Sequence, residues 1–425
     1  MSSPSSGTSR RTKIPLRTPS SDSEFSRILA IGLASSIVLG LVFAWTPQFW
    51  GVSVVHVGVL LTACVWLYGA GSHTAQDIRL PLSAGFLAIV GLWGWIQVAP
   101  MSSVAIGSAT PSFTRKLALE WTVAAVTFCL ASNVLHRSAA RAVFLRILVW
   151  STAVLSLLAI LQLYSSPNAV FWIFPAQPLS VGTFLYKNQF AAMIELTIPV
   201  ALYWMLFNIE KRAVGIFTFL ALFAGAVASG SRAGASLVFV ECIVVLFLAY
   251  RQAKIPFARI AILLPAVVII LGLTAAVVGN EYLWAHYQEA HHDAARNELF
   301  QSNLAMLKSA PWSGYGLGSW PSIYPKYATF DIGLIANAAH NDWMEWAIEG
   351  GIFFAGSLLA FVLATIRPAI QSVWGLGVIA IMLHSWVDYP TREPVLCILW
   401  MCLAGALLGR RGRAASEEKF SPADH

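Results

Sequence analysis

Four basic residues stand beside polar clusters that interrupt otherwise apolar sequence: Lys187 in GTFLYKNQFA, Arg232 in SGSRAG, Arg296 in AARNELF and Arg392 in DYPTREP. A cation at the edge of hydrocarbon is costly unless it snorkels to headgroups or faces a cavity or partner. One of them alone needs no more than snorkelling; four together favour an anion site. Guanidinium forks match phosphate oxygens two at a time, so a diphosphate arriving from the membrane suits them. His340, in AANAAHNDWMEWAIEGG, adds an imidazole, a side chain that ordinarily titrates near pH ~6.5 and serves as a neutral base. Its bland alternative is an interfacial residue at a helix start, with Asn341 or Asp342 as the N-cap.

Other polar groups carry weaker signals. His286, His291, His292 and Asp293 lie in HYQEAHHD, but their spacing matches no usual zinc pattern, and a solvated helix face accounts for them. Glu195 and Glu241 lie well inside apolar runs, where charged groups are rare and often functional. No Asp-x-Asp pair occurs, so no metal-bound diphosphate of the usual glycosyltransferase kind is expected. Neither a metal site nor a cofactor is predicted.

The elements that position these residues follow from composition. The chain has 425 residues, 57% hydrophobic and 11% charged, with mean hydropathy +0.69; soluble domains carry about 25% charge. This excludes a cytosolic globular enzyme, a disordered chain and a collagen-like fibre. The net charge of +7 implies no nucleic-acid partner, because the basic residues collect in short segments between apolar runs. Cys64, Cys129, Cys242, Cys397 and Cys402 all lie inside such runs and read as small hydrophobes.

A bilayer core requires roughly 20 apolar residues per helix. About twelve runs qualify: 28–45, 51–70, 80–99, 117–135, 143–164, 188–207, 213–229, 233–250, 257–279, 343–366, 369–387 and 394–409. With both termini cytoplasmic, 19 of the 27 Lys and Arg fall inside and 8 outside, as the positive-inside rule requires. The predicted fold is all-α and polytopic. Residues 1–26 form a Ser/Thr/Pro/Arg-rich disordered tail, 27–409 the membrane domain and 410–425 a second cytoplasmic tail. Between 280 and 340 lies one large external loop; its first half has helix-forming composition ending at Pro311, and its second, WSGYGLGSWPSIYPKY, reads as ordered loop. No internal repeat and no paired broken helices are evident.

The blocks GTFLYKNQFA, SGSRAG, RNELFQSNLAMLKSAPWSGYGLGSW, AHNDWMEWAIEGG and HSWVDYPTREP resemble, in order, those of the O-antigen ligase/polymerase superfamily of bacterial membrane glycosyltransferases. The resemblance runs from about Gly182 to Pro394, half the chain. It implies a GT-C-like bundle in the bacterial inner membrane with its active site facing the periplasm. The donor would be an undecaprenyl-diphosphate-linked glycan, and the acceptor a hydroxyl of lipid A-core, of another lipid-linked glycan or of a protein. By the same resemblance His340 is the catalytic base and Arg232 and Arg296 hold the diphosphate. Gly314, Gly316 and Gly318 let the loop approach the donor, and Lys187, Asn188, Tyr324, Asn341, Asp342, Asp388 and Arg392 complete the substrate site. A ligase is favoured over a polymerase because there is one sizeable external loop. From a different class, a lipid-linked glycan transporter also fits twelve spans.

Overall fold

The computed structural model describes residues 19–46, 49–72, 80–99, 106–176, 180–208, 212–253, 291–329 and 336–409, and single positions 78, 265, 268, 269 and 272. Side chains are described within these ranges except at 19–23, 49, 72, 252–253 and 291–296. Apart from those single positions the expected span 257–279 lies outside, as do the terminal tails up to residue 18 and from 410 and the HYQEAHHD side chains.

The architecture is helical, in chain order α1 (Pro19–Phe43), α2 (Phe49–Ser72), α3 (Ser83–Gln97), α4 (Pro111–Val134), α5 (Ser138–Ser165), α6 (Lys187–Glu195), α7 (Ile198–Phe207), α8 (Arg212–Ala228), α9 (Arg232–Ala253), α10 (His291–Ser309), α11 (Trp320–Ile323), α12 (Asp342–Ile370), α13 (Val373–His384) and α14 (Pro394–Leu408). A two-residue hairpin, Ala169–Val170 with Phe174–Pro175, is the one named sheet among the described residues. Seven helical segments among the described residues are long and apolar enough to cross a membrane, the pair α6–α7 counting as one, and α3, α8, α13 and α14 are shorter apolar helices.

Two kinds of apolar helix are visible. α14 is buried at every position from Val395 to Leu407, as expected for a helix hydrophobic on all sides at the centre of a bundle. α2, α3 and α9 expose large apolar side chains, among them Leu61, Leu92 and Phe247, the surface a lipid solvent favours.

Helix ends differ from expectation where tertiary ties intervene. α1 begins at Pro19, so residues 19–26 join a helix rather than the tail. α4 starts at Pro111, taking in Arg115 and Lys116, because proline at the first helical position costs no hydrogen bond. The expected run 369–387 shortens to α13, which stops at His384; beyond it the Ser385 carbonyl accepts the Asp342 amide at 2.9 Å.

The expectation of no broken helices fails. α6 and α7 are separated at Leu196–Thr197, with Pro199 just after the break. α12 kinks at Gly351, which has φ 67°. The kink frees the carbonyls of Ile348 and Glu349, which accept the amides of Tyr315 (3.0 Å) and Gly316 (2.9 Å), while the Ile352 amide reaches Pro311. Buried Gln97 completes the seam, donating to the Ser313 and Glu349 carbonyls and accepting from the Leu317 amide. The glycine-rich loop is thus docked on an unwound turn of α12 with its buried backbone groups paired.

Gly314 and Gly316 have φ of 68° and 102°, and a Cβ would run into the Glu349 carbonyl at the first and the Ser108 side chain at the second. Gly314→Ala is therefore expected to destabilise the protein by about 1–3 kcal/mol, read as a lower melting temperature in detergent; an unchanged melt would remove this account of the seam.

Candidate functional site

Asn341 is the N-cap of α12, its side-chain oxygen accepting the Met344 amide at 3.0 Å. The residue before it, His340, has φ 50°, a left-handed conformation that non-glycine residues adopt at a cost and that recurs at functional sites. Both sides are pinned. The Ala339 amide donates to Glu345 Oε2 at 2.9 Å, its carbonyl accepts from Asn303 at 3.4 Å, and the Asp342 amide reaches the Ser385 and Asp388 carbonyls. His340 is thereby presented from a rigid backbone.

Its imidazole Nδ1 lies 3.3 Å from Asp388 Oδ1; the His340 side chain is 30% exposed and that of Asp388 only 2%. Asp388 is held in turn: Asn188 Nδ2 and the Tyr186 hydroxyl (3.3 Å) donate to Oδ2, and the Tyr389 amide to Oδ1. Tyr186 and Tyr389 stack 5.2 Å apart, and the His340 ring meets both edge-on. A partly exposed imidazole beside a buried, oriented carboxylate is an arrangement that stabilises the imidazolium.

Burial raises the Asp388 pKa, but His340, His384 and Asn188 outweigh it and hold the carboxyl below its usual range. A depressed carboxylate contributes stability above its unfolded value, about 3.9, and loses it as pH falls through the lower folded value. A melting series from about pH 7 to about pH 3 should show an acid-side decline that Asp388→Asn reduces; an identical decline in both proteins would remove Asp388 as its source.

Other expected residues are placed differently. Asp342 is fully buried and ties the 385–391 segment to α12, accepting from Ser385 Oγ (3.1 Å) and from the Thr391 amide (3.1 Å) and hydroxyl (2.7 Å). Arg392 faces Glu345, and Glu349 at 2.8 Å; burial lowers its pKa, yet these two carboxylates raise it further above the ordinary value. Tyr324 is buried, stacked on Trp320 at 4.8 Å. Gly318, φ 77°, packs on Phe113 and Leu117. Lys187 opens α6, one residue before Asn188. Arg232 opens α9 and is exposed. Gly234 of α9 packs on Ala191 of α6, which brings Arg232 to the end of the bundle where Asn188 lies. Arg296 is on α10, its side chain outside the described set.

The region from α8 through the α12 kink, residues 217–359, matches the O-antigen ligase family. The match supports the resemblance to the O-antigen ligase/polymerase superfamily. No curated protein matches it. The O-antigen ligase match includes Arg232, Arg296, the glycine turn and His340, and leaves Lys187, Asn188, Asp388 and Arg392 outside. The match and the apolar helices together support a membrane glycosyltransferase of the O-antigen ligase/polymerase type.

Several residues at the site were not among those expected from sequence. Tyr186 and the Asp388–His340 pairing have no sequence signal beyond lying in quoted blocks. Glu345 and Glu349, four residues apart and so on one helix face, were findable as partners for a buried cation. Glu195, noted only as a buried acid, meets His384 Nδ1 at 2.7 Å, both fully buried.

Proposed function

We propose that this protein is an O-antigen ligase, moving a glycan from undecaprenyl diphosphate to a hydroxyl of lipid A-core on the periplasmic face of the inner membrane. The observation that carries the reading is His340, held in a left-handed backbone conformation and backed by Asp388 at 3.3 Å. With Nδ1 turned to that carboxylate, Nε2 is left for the acceptor. The acceptor oxygen attacks the anomeric carbon as His340 Nε2 takes its proton. The new C–O bond forms while the bond to the diphosphate breaks, and undecaprenyl diphosphate leaves with the electron pair. Attack opposite the leaving group inverts the anomeric centre. His340 makes the general-base contribution of about 10²–10⁴-fold, and Asp388 stabilises the imidazolium.

Arg232 and Arg296 are assigned to the departing diphosphate, as preorganised donors aimed at developing charge. The activated donor supplies the driving force, so no nucleotide or metal is required. Transfer by the purified protein should be the same with and without EDTA; activity lost to chelator and restored by Mg²⁺ or Zn²⁺ would instead call for a metal.

The break between α6 and α7 is a feature that transporters share. Transfer by protein in detergent separates the readings, since a transporter shows nothing without compartments. Ligase and polymerase are separated by deleting the gene and running lipopolysaccharide on a gel. A ladder wholly absent from core, with lipid-linked polymer accumulating, supports the ligase; a single-repeat rung supports a polymerase and overturns this assignment.

A further inference from the structure

Beside the His340 site lies a separate cavity of about 300 Å³. Its walls are the last turn of α1 and the first turns of α2, α4, α12 and α14, so it opens at the end of the bundle that carries His340. His340 and Asp388 do not line it. The short turn Pro390–Arg392 lies between the two places: Asp388, just before it, backs the base, and Arg392 forms part of the cavity wall.

Its polar lining is nearly balanced in charge. Lys116 faces Glu120 at 3.8 Å, Arg392 faces Glu349 at 2.8 Å, and Glu393 and His56 complete the set. Three lining atoms, His56 Nε2, Glu120 Oε1 and Arg392 Nε, are buried without a hydrogen bond among the described residues. His56 is only 8% exposed. Buried polar atoms normally find partners, and ionisable groups within a membrane bundle usually serve a ligand or a pathway. Glu120 Oε1 still faces Lys116 at 3.8 Å, which leaves His56 Nε2 and Arg392 Nε as the unmatched hydrogen-bonding positions around the hollow.

The chemistry of the occupant follows. An anion would meet three carboxyl groups, two of them already facing the cations; a cation would meet Lys116 and Arg392. A neutral group rich in hydroxyls meets neither penalty, because each hydroxyl donates and accepts. Trp121 and Trp346, packed edge to face with ring centroids 6.1 Å apart, line the same space and add aromatic surface suited to the C–H groups of a sugar. Val52, Val55, Val395 and Ile398 line it as well, surface that favours an alkyl chain. The volume is at the lower end of small-molecule pockets, about 300–1,000 Å³.

We propose that this cavity binds a neutral saccharide headgroup carried on an alkyl chain, at a site distinct from the transfer site around His340. The inference does not depend on which transfer reaction the protein performs.

The test is photolabelling of the full-length protein in lipid nanodiscs with a diazirine-bearing octyl β-glucoside, and peptide mapping by mass spectrometry. Labels are expected in 40–56 and 393–398, competed by excess octyl β-glucoside and not by octyl phosphate. His56→Phe, which keeps a ring and removes the nitrogen, should lower labelling about tenfold, roughly the loss of one good hydrogen bond. Ala44→Trp, placed in the lining, should block it, with the melting temperature reporting whether that variant folds. His340→Ala should label as the wild type does, which separates this site from the proposed reaction. Labels spread over lipid-facing positions such as Leu61 and Tyr68, equal competition by octyl phosphate, or undiminished labelling of His56→Phe would each overturn the proposal.

Discussion

Replacing His340 with alanine lowers glycan transfer by about 10²–10⁴-fold, the usual contribution of a positioned general base, and leaves insertion and melting close to wild type. The stability half of this expectation rests on exposure. The side chain is 30% accessible and holds no helix end, since Asn341 performs the capping. Asp388→Asn should show a smaller loss of the same kind, because it acts through the imidazole and never touches the acceptor. The informative measurement is the pH profile of turnover. In the wild type one limb reports an ionisation of the base and its partner; in Asp388→Asn that limb should shift, whereas a purely structural role would scale the whole profile without moving it. A His340→Ala protein with normal transfer in detergent would remove the base assignment and with it the proposed mechanism.

The largest stability effect is expected at Arg392→Met. The guanidinium stands between Glu345 and Glu349, whose side chains are each 1% exposed. Removing one partner of a buried ionic set leaves uncompensated charge and costs about 3–5 kcal/mol. Both glutamates have other duties: Glu345 Oε2 accepts the Ala339 amide next to His340, and Glu349 Oε1 accepts the Trp320 amide in the loop. Repulsion between them would therefore loosen the base and the loop together. Adding Glu345→Gln and Glu349→Gln to Arg392→Met removes the repulsion while keeping both carbonyl acceptors, and should recover most of the lost melting temperature. If Arg392→Met alone melts like the wild type, the guanidinium is not neutralising these carboxylates, and a direct role on substrate regains ground.

These two cases show what kind of information the chain carries locally. A helix N-cap was readable at Asn341 or Asp342, and a helix end at Pro311, because caps and breakers act within a few positions; the structure chose Asn341. His340 was readable as a candidate base from its polar surroundings at the start of an apolar run. Asp388 was readable as polar and near the site, but its partners were not: the contact with Asn188 joins residues 200 positions apart. The kink at Gly351 was equally hidden, since glycine within a helix tolerates an ordinary turn. It becomes a break because the amides of Tyr315 and Gly316 arrive to take up the freed carbonyls.

What the amino-acid order settled, then, is the apolar character of the chain, most of its apolar helices and the resemblance to a family of membrane glycosyltransferases. Run length and hydropathy are sums over neighbours, and a lipid solvent enforces them segment by segment. Packing settled which polar groups face one another: His340 with Asp388, Arg392 with Glu345 and Glu349, Glu195 with His384, and the hollow under Lys116 and Glu120. Those pairings arise because a buried polar atom must find a partner among whatever helices are adjacent, and adjacency between distant segments is decided by how the whole bundle fills space.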